Sequence, residues 1–174
     1  MKKIKNRIFV EKKLNLNSKI TLDADQVHYL KNVLRTKVSD YVSVFNRELL
    51  CFTRVVDITK SSCELEIVDH EKIKSENHNI TLFFSPIKRT PLETMIQKCT
   101  EIGVSTFQPV IMERTNMKSI NFERLNHIAI EACEQSNRNM IPEINKPISF
   151  VSMINGDSLG SYLYCSLDKN KETS

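Results

Sequence analysis

The first 75 residues alternate between short apolar runs and polar turns, which is typical of a small β-rich domain. Asp25 is placed to cap a helix that carries Val27, Leu30, Val33 and Leu34 on one side. A turn is predicted over residues 57–62. The predicted strands are Arg7–Val10, Lys19–Leu22, Tyr41–Phe45, Leu49–Ile58 and Cys63–Val68. So many strands in so short a span predict a small closed barrel.

The polar stretch Lys74–Asn79 has no apolar pattern and predicts a boundary between a domain over residues 1–75 and one over residues 76–174. The second segment opens with Ile80–Ser85, a continuous apolar run that indicates a strand buried in a parallel sheet. A helix follows, with Thr90 as the expected N-cap, Glu93 completing a capping box and Gly103 at its end. Its expected apolar face comprises Leu92, Met95, Ile96, Cys99 and Ile102.

The rest of the second segment continues the alternation of strands and helices. A second strand is expected at Thr106–Met112, where Pro109 indicates a bulge or an edge position. A second helix is expected from Phe122 to Asn137, and a third strand at Ser161–Leu167. The expected buried face of this helix comprises Phe122, Leu125, Ile128, Ala129 and Cys133. The order β-α-β-α-β predicts an α/β domain with a parallel sheet and right-handed crossovers.

Charge divides the chain in the same place. Residues 1–75 carry 15 Lys and Arg against 10 Asp and Glu, and residues 76–174 carry 10 against 11, so the first segment supplies the whole net charge of +4. A basic surface attracts polyanions through counterion release, which makes nucleic acid a candidate partner and a solvated basic face the plain alternative. No apolar run approaches the roughly 20 residues of a membrane span, and a cytoplasmic protein is expected.

The five cysteines are scattered without closely spaced pairs, so no metal site is expected and each is interpreted as a small core residue. Glycine is scarce, at three residues, and no glycine-rich phosphate-binding loop is present. The loop that joins Ser85 to Pro91 offers Lys88 and Arg89 as phosphate contacts at the end of a strand.

One polar stripe on the second predicted helix is a candidate for chemistry. His127, Glu131, Gln135 and Arg138 follow at helical spacing on one side. They form either a solvated face or one wall of a cleft at the carboxyl edge of the sheet, where Arg138 could clamp a phosphate or stabilise an anionic base. On the first helix, Lys98 and Glu101 are expected to pair at the surface.

Several segments, taken in order, resemble one known family. They are residues 7–10, 28–35 and 38–40, then 85–88, 95–104 and 109–115, and most specifically Ile130–Arg138 followed by 141–143. Together they resemble the ribosomal RNA small subunit methyltransferase E family, whose members join a PUA-like β-barrel to a knotted SPOUT methyltransferase domain.

The resemblance implies a homodimer that transfers a methyl group from S-adenosylmethionine to N3 of one uridine in the 16S rRNA of the small ribosomal subunit. It implies RNA contacts at Arg7, His28, Arg35, Lys88, Lys98 and Arg114. It implies catalytic-domain roles for Glu131, Gln135 and Arg138, and Glu101 also matches the front of that domain.

The sequence departs from the family in one respect. The family continues with a Gly-Pro-Glu-Gly-Gly loop and a later Leu-Gly-x-Arg-Ile-Leu-Arg segment, and neither is in this sequence. The expectation is therefore an incomplete SPOUT domain that lacks its C-terminal knot, with no cofactor-binding residue assigned and no S-adenosylmethionine binding. Two alternatives remain, namely a catalytically inactive remnant that only binds RNA and an unrelated small nucleotide-binding α/β protein.

Overall fold

The computed structural model describes residues 6–73, 79–115 and 120–156, together with 161, 163 and 165. Its N-terminal part holds five strands, a short helix and a π-helical turn at Tyr29–Val33. The elements are β1 (Arg7–Phe9), β2 (Lys19–Thr21), α1 (Ala24–His28), β3 (Tyr41–Phe45), β4 (Leu49–Ile58) and β5 (Cys63–Lys72). All five strands predicted for this segment are confirmed.

The five strands form one sheet in the order β1-β3-β4-β5-β2. The β1–β3 pair is parallel and the other pairs are antiparallel. β1 and β2 do not pair with each other in the described residues, so the predicted barrel is not closed by strand pairing there. One apolar core joins the sheet to α1 and includes Ile8, Ile20, Val27, Leu30, Val42, Val44, Val55, Leu65 and Ile67.

The first helix begins two residues earlier than predicted. Asp23, not Asp25, is the N-cap, and its carboxylate accepts the Gln26 N–H while the Gln26 side chain accepts the Asp23 N–H. Asp25 lies in the first turn instead. The π-helical turn also rotates the later residues, so Val33 is 59% exposed although it was expected on the buried side.

The C-terminal part is a parallel sheet with helices. Its elements are β6 (Thr81–Phe84), α2 (Arg89–Ile102), β7 (Thr106–Ile111), α3 (Phe122–Ser136), β8 (Glu143–Ile144), β9 (Ile148–Ser149) and α4 (Phe150–Ile154). β7 lies between β6 on one side and β8 on the other, and it also pairs with β9, always in parallel. The two long helices and the sheet share a core of Leu92, Ile96, Phe107, Leu125, Ile128 and Ala129.

The third parallel partner comes earlier in the chain than predicted. β8 and β9 follow α3 directly, whereas the strand expected at Ser161–Leu167 lies mostly outside the described residues. The register against β7 shifts by one residue between β8 and β9, because Thr106 faces Glu143 but Val110 faces Ile148. Of the two interpretations of Pro109, the bulge therefore fits and the edge position does not. In this irregular stretch, the buried Gln108 donates from Nε2 to Lys146 O at 2.9 Å, which gives that carbonyl a hydrogen-bond partner.

The start of α2 also differs from the prediction. The helix begins at Arg89 with Lys88 as N-cap and no side-chain cap, so Thr90 is not the N-cap. The end is as predicted, with Gly103 in the left-handed conformation at φ 109°. Ile102 was expected on the buried face but is 78% exposed, and Thr100 is buried instead.

Cys51, Cys63 and Cys133 are buried and Cys99 is half-buried, but Cys165 is exposed and therefore not a core residue. Across the described ranges, no cluster of three His, Cys, Asp or Glu residues is arranged to hold a metal ion. No helix among the described residues is long and apolar enough to cross a membrane.

Candidate functional site

The two domains meet where α3 packs against β1. Phe9 and Phe45 from the first sheet form an apolar cluster with Cys133 and Ile141 from the second domain. The two rings lie with centroids 5.5 Å apart and are tilted by 60°. Burial in this cluster raises the pKa of the Cys133 thiol to about 11, so the thiol is neutral near pH 7 and acts as an apolar side chain.

Polar groups complete this interface along the outer edge of β1. Val10 N–H faces inward and donates to Phe45 O at 2.9 Å. Phe9 faces outward, and its N–H donates to Glu134 Oε1 at 2.8 Å. Its carbonyl accepts from Gln26 Nε2, also at 2.8 Å. Side chains from α1 and α3 thus take the place of a neighbouring strand at this edge.

Arg7 lies inside the same interface. It is only 8% exposed, its guanidinium carbon lies 4.5 Å from the centre of the Phe45 ring, and Nη2 donates to Asn139 Oδ1. Burial lowers the pKa of this guanidinium, against the opposing effect of Cys133 and Glu134. Arg7 therefore joins the domains, and it does not offer its charge to the solvent as an RNA contact would.

A cleft of about 590 Å³ opens beside this interface, between β1 and α1 on one side and α3 on the other. Acidic residues dominate its polar lining, which comprises Glu11, Lys12, Asp23, Asp25, Gln26, Tyr29, His127, Glu131, Glu134 and Gln135. Burial raises the pKa of Glu134, and the neighbouring Glu131 adds to the rise. Burial and the same two carboxylates raise the pKa of the Tyr29 hydroxyl.

The polar stripe of α3 is divided between two places. His127, Glu131 and Gln135 line the interdomain cleft. Arg138 instead lies beside Gly103, where a methyl group added to the glycine would come within 2.9 Å of Nη1. Since Gly103 directly precedes β7, Arg138 is at the amino edge of the sheet. The expectation that the stripe lines a cleft at the carboxyl edge is therefore wrong.

Glu131 and Gln135 also line a smaller groove of about 210 Å³ between α2 and α3. Glu93 lies in this groove and pairs with Arg89 at 2.8 Å and with Arg124 at 3.5 Å. These ion pairs lower the pKa of Glu93, with the Arg89 hydrogen bond as the largest cause.

The carboxyl edge of the sheet carries a different set of groups. The hydroxyls of Ser85 and Thr115 lie 2.9 Å apart, and Thr115 Oγ1 also accepts the Met112 N–H at 2.8 Å. These contacts hold the loop after β6 against the loop after β7. Lys88 and Arg114 are exposed on these two loops, so both cations lie at the carboxyl edge of the sheet.

The remaining predicted RNA contacts are exposed. Lys98 pairs with Glu101 at 2.9 Å on α2, as expected. His28 ends α1, and Arg35 follows the π-helical turn with φ 53°, a conformation unusual for a residue other than glycine. The Leu34 N–H donates to Tyr29 O and the Thr36 N–H to Leu30 O, which fixes the backbone on both sides of Arg35.

Two interface residues were not among the predicted site residues. Glu134 is seven positions after His127 and therefore shares its helix face, a spacing that could have identified it. Asn139 follows the helix end and meets Arg7 across 132 residues of sequence, and no local pattern indicates such a contact.

The glycines of the described residues bear on where a nucleoside methyl donor could be held. A nucleoside needs close backbone approach, which glycine usually allows. Among the described residues the glycines are Gly103 and Gly156; the first is closed off by Arg138 and the second by Ser152 O, 3.3 Å from an added methyl group. Neither glycine is therefore assigned to hold such a donor.

Comparison with known families gives two adjacent matches. Residues 74–174 match the RNA methyltransferase domain, and residues 22–68 match the RNA methyltransferase PUA domain. The first match covers more than half of the chain. Together the two matches define the class, an RNA methyltransferase with a PUA domain.

Curated relatives refine this class. The chain is 36% identical over 148 residues to ribosomal RNA small subunit methyltransferase E from Rickettsia conorii, a match over 83% of this chain and 60% of the relative. It is 36% identical over 152 residues to the protein of that name from Buchnera aphidicola, covering 82% and 60%. The chain belongs to the ribosomal RNA small subunit methyltransferase E family, and it spans about 60% of the length of these relatives.

Solved structures have the same fold. The methyltransferase E from Neisseria gonorrhoeae, crystallised with S-adenosyl methionine, matches with a TM-score of 0.78 and 28% identity over 90% of this chain and 66% of that chain. A probable rRNA methyltransferase from Porphyromonas gingivalis matches with a TM-score of 0.77 over 88% of this chain and 64% of that chain. At 24% identity, the second likeness shows the fold alone.

Proposed function

We propose that this chain forms the RNA-binding and front catalytic part of an enzyme that methylates N3 of one uridine in 16S rRNA, with S-adenosylmethionine as the donor. The observation that carries the proposal is the pair of adjacent domain matches, an RNA methyltransferase domain after a PUA domain. The donor and the ribosomal substrate come from the relatives, one of which was crystallised with S-adenosyl methionine.

The proposed RNA surface has two parts. His28 and Arg35 contribute from the first domain, whose charge excess of +5 favours a polyanion. Lys88 and Arg114 contribute from the carboxyl edge of the parallel sheet, where open α/β folds bind their ligands. Lys98 contributes least, because Glu101 already neutralises it at 2.9 Å. The acidic interdomain cleft is unsuited to phosphates, so the RNA backbone follows the cations outside it.

The reaction requires that uracil lose its N3 proton, which leaves negative charge spread over the ring and its carbonyl oxygens. An arginine at the carboxyl edge can stabilise that charge, and Arg114 is the described residue best placed to do so. Glu131 and Gln135 face the clefts on both sides of α3, away from the carboxyl edge, and are proposed to act as positioning residues that do not touch the uracil. Arg138 is proposed as a positioning residue, since it packs against Gly103.

The proposed assembly is a homodimer in the cytoplasm. It is supported by exposed apolar side chains around the end of β7 and on α4, of the kind that mark a protein interface. The side chains are Ile111, Met112, Phe150, Val151 and Ile154, which are 38% to 65% exposed.

The alternative function is RNA binding without catalysis, which the match of residues 22–68 to an RNA methyltransferase PUA domain favours. Two measurements separate the proposals. Calorimetry with S-adenosylmethionine tests for the donor site, and a filter-binding titration with 16S rRNA at increasing salt tests for the RNA surface. Salt-sensitive RNA binding is expected under both proposals, so methyl incorporation decides between them. Absence of RNA binding even at low salt contradicts both and favours an unrelated nucleotide-binding protein.

A further inference from the structure

The two domains touch through a narrow set of contacts, and these contacts determine how the first sheet is oriented on the second. The apolar cluster around Phe45 and Cys133 supplies non-directional attraction. Such a cluster tolerates rotation of one domain against the other. Orientation therefore depends on directional contacts, of which hydrogen bonds are the main kind.

Glu134 makes the most informative of these contacts. Its carboxylate accepts the backbone N–H of Phe9 at 2.8 Å across 125 residues of sequence. The backbone of a strand that is held in its sheet cannot turn to follow a moving partner. A carboxylate on rigid α3 that bonds to β1 therefore fixes a direction, whereas a bond between two flexible side chains would not.

The surroundings of Glu134 disfavour a charged carboxylate. Burial raises the pKa of this carboxyl, so the ionised form is held in an unfavourable environment. The Phe9 N–H, His127 and Arg7 favour the charged form, while Glu131 opposes it. The Phe9 carbonyl is held from the opposite direction by Gln26 of α1. The outer edge of β1 is thus hydrogen-bonded to one helix of each domain, α1 and α3.

We propose that Glu134 is a positioning residue that sets the orientation of the N-terminal sheet on the methyltransferase domain by accepting the Phe9 N–H. A fixed orientation also fixes the distances from Arg35 on the first domain to Lys88 and Arg114 on the second. RNA that contacts all three then binds a prearranged surface, without the ordering of two independent domains. The orientation itself does not depend on the proposed function and is measurable without RNA.

The test compares three variants of the full chain with the wild type. Glu134→Met keeps side-chain length and helix propensity but removes the acceptor, and Glu134→Ala removes it with less packing. Glu134→Gln keeps a neutral acceptor. Glu143→Ala is the matched control, because Glu143 is an exposed glutamate of the same domain whose side chain makes no hydrogen bond to the described residues of the first domain.

Residual dipolar couplings of backbone N–H groups report domain orientation directly. In the wild type, Glu134→Gln and Glu143→Ala, one alignment tensor is expected to fit both domains. In Glu134→Met and Glu134→Ala, two tensors of different magnitude are expected, with the chemical shifts within each domain retained. Phe9 amide exchange is expected to rise about tenfold or more in these two variants, the scale of losing a hydrogen bond to a charged group.

Three outcomes overturn the proposal. If Glu134→Met keeps one tensor with wild-type couplings, the apolar cluster and the Arg7–Asn139 bond set the orientation without Glu134. If Glu134→Gln loses the common tensor, the acceptor is not what matters. If Glu143→Ala loses it as well, the effect is not specific to the contact with Phe9. Two tensors in Glu134→Met together with wild-type RNA affinity would support the proposal on orientation and count only against the RNA surface.

Discussion

Arg138 closes the space in front of Gly103, so that a methyl group on this glycine would lie 2.9 Å from Nη1 and 3.0 Å from Nη2. Gly103 ends α2 at φ 109°, a conformation that side chains rarely adopt. The end of α3 and the end of α2 are therefore fitted to each other at the amino edge of the sheet. This contact gives Arg138 a structural task that its position in a polar stripe did not reveal.

Substitution Gly103→Ala is expected to lower the free energy of unfolding by about 1–2 kcal/mol, chiefly through backbone strain at positive φ. The clash adds less, because Arg138 can swing aside at its far end. Urea unfolding measures the change. Gly156→Ala is the control, since Gly156 does not have a positive φ. Equal losses in the two variants would contradict the account.

Substitution Arg7→Lys is expected to destabilise the protein by about 1–2 kcal/mol although the charge is kept. A lysine cannot reproduce the planar stacking on Phe45 while also bonding to Asn139. The exposed Arg47 is the control, and Arg47→Lys is expected to change stability by less than about 0.5 kcal/mol. Chemical denaturation compares the two. If Arg7→Lys left the stability unchanged, the interface would not need the guanidinium.

The raised pKa of Glu134 predicts a particular pH dependence of stability. A carboxyl whose pKa is higher in the folded state binds its proton more tightly there, so its contribution is favourable at low pH and is lost as pH rises through the folded pKa. The window begins at the ordinary glutamate value of about 4.3 and extends upward to the raised value. Wild-type stability relative to Glu134→Gln should therefore increase as pH falls through this window. Urea titrations from pH 4 to pH 8 check this, and a difference independent of pH would be inconsistent with a buried carboxylate.

Thr115→Val is expected to weaken rRNA binding several-fold, without a change in the charge of the protein. The variant loses the contact with Ser85 and the bond from the Met112 N–H, so the loops that carry Lys88 and Arg114 are held less firmly. Ser105→Ala is the control, because Ser105 bonds to Ile80 O at the opposite edge of the sheet. Titrations at constant salt measure both, and equal affinities for wild type and Thr115→Val would argue against an RNA surface at the carboxyl edge.

Local patterns in the sequence were sufficient to predict most of the fold. The five N-terminal strands and the span of α3 follow from apolar periodicity, and Gly103 was recognisable as a helix end. Helix starts were harder to predict because neighbouring residues compete as caps. Asp23 rather than Asp25 caps α1, and Lys88 precedes α2 without a side-chain cap at all. β8 and β9 are two residues each, too short for any period to be seen.

The site was less predictable for a different physical reason. The stripe on α3 was visible as a helical spacing, but which surface faced it depended on contacts across more than a hundred residues. The same polar face that could have lined the carboxyl edge packs against β1 instead. Arg7 shows how far local sequence patterns can predict the site. A basic residue near the N-terminus is expected at the surface, but Arg7 is only 8% exposed.

Formation of 3-methyluridine tests the central claim most directly. The chain, alone and fused to the part of the Rickettsia relative that its match does not cover, is incubated with S-adenosylmethionine and small ribosomal subunits that lack the modification. Nucleosides from the 16S rRNA are then analysed by mass spectrometry. The account predicts that the fusion forms 3-methyluridine at one site and that Arg114→Ala in the fusion abolishes most of it. An unmethylated rRNA, from a fusion that still binds both the donor and the RNA, would contradict the account.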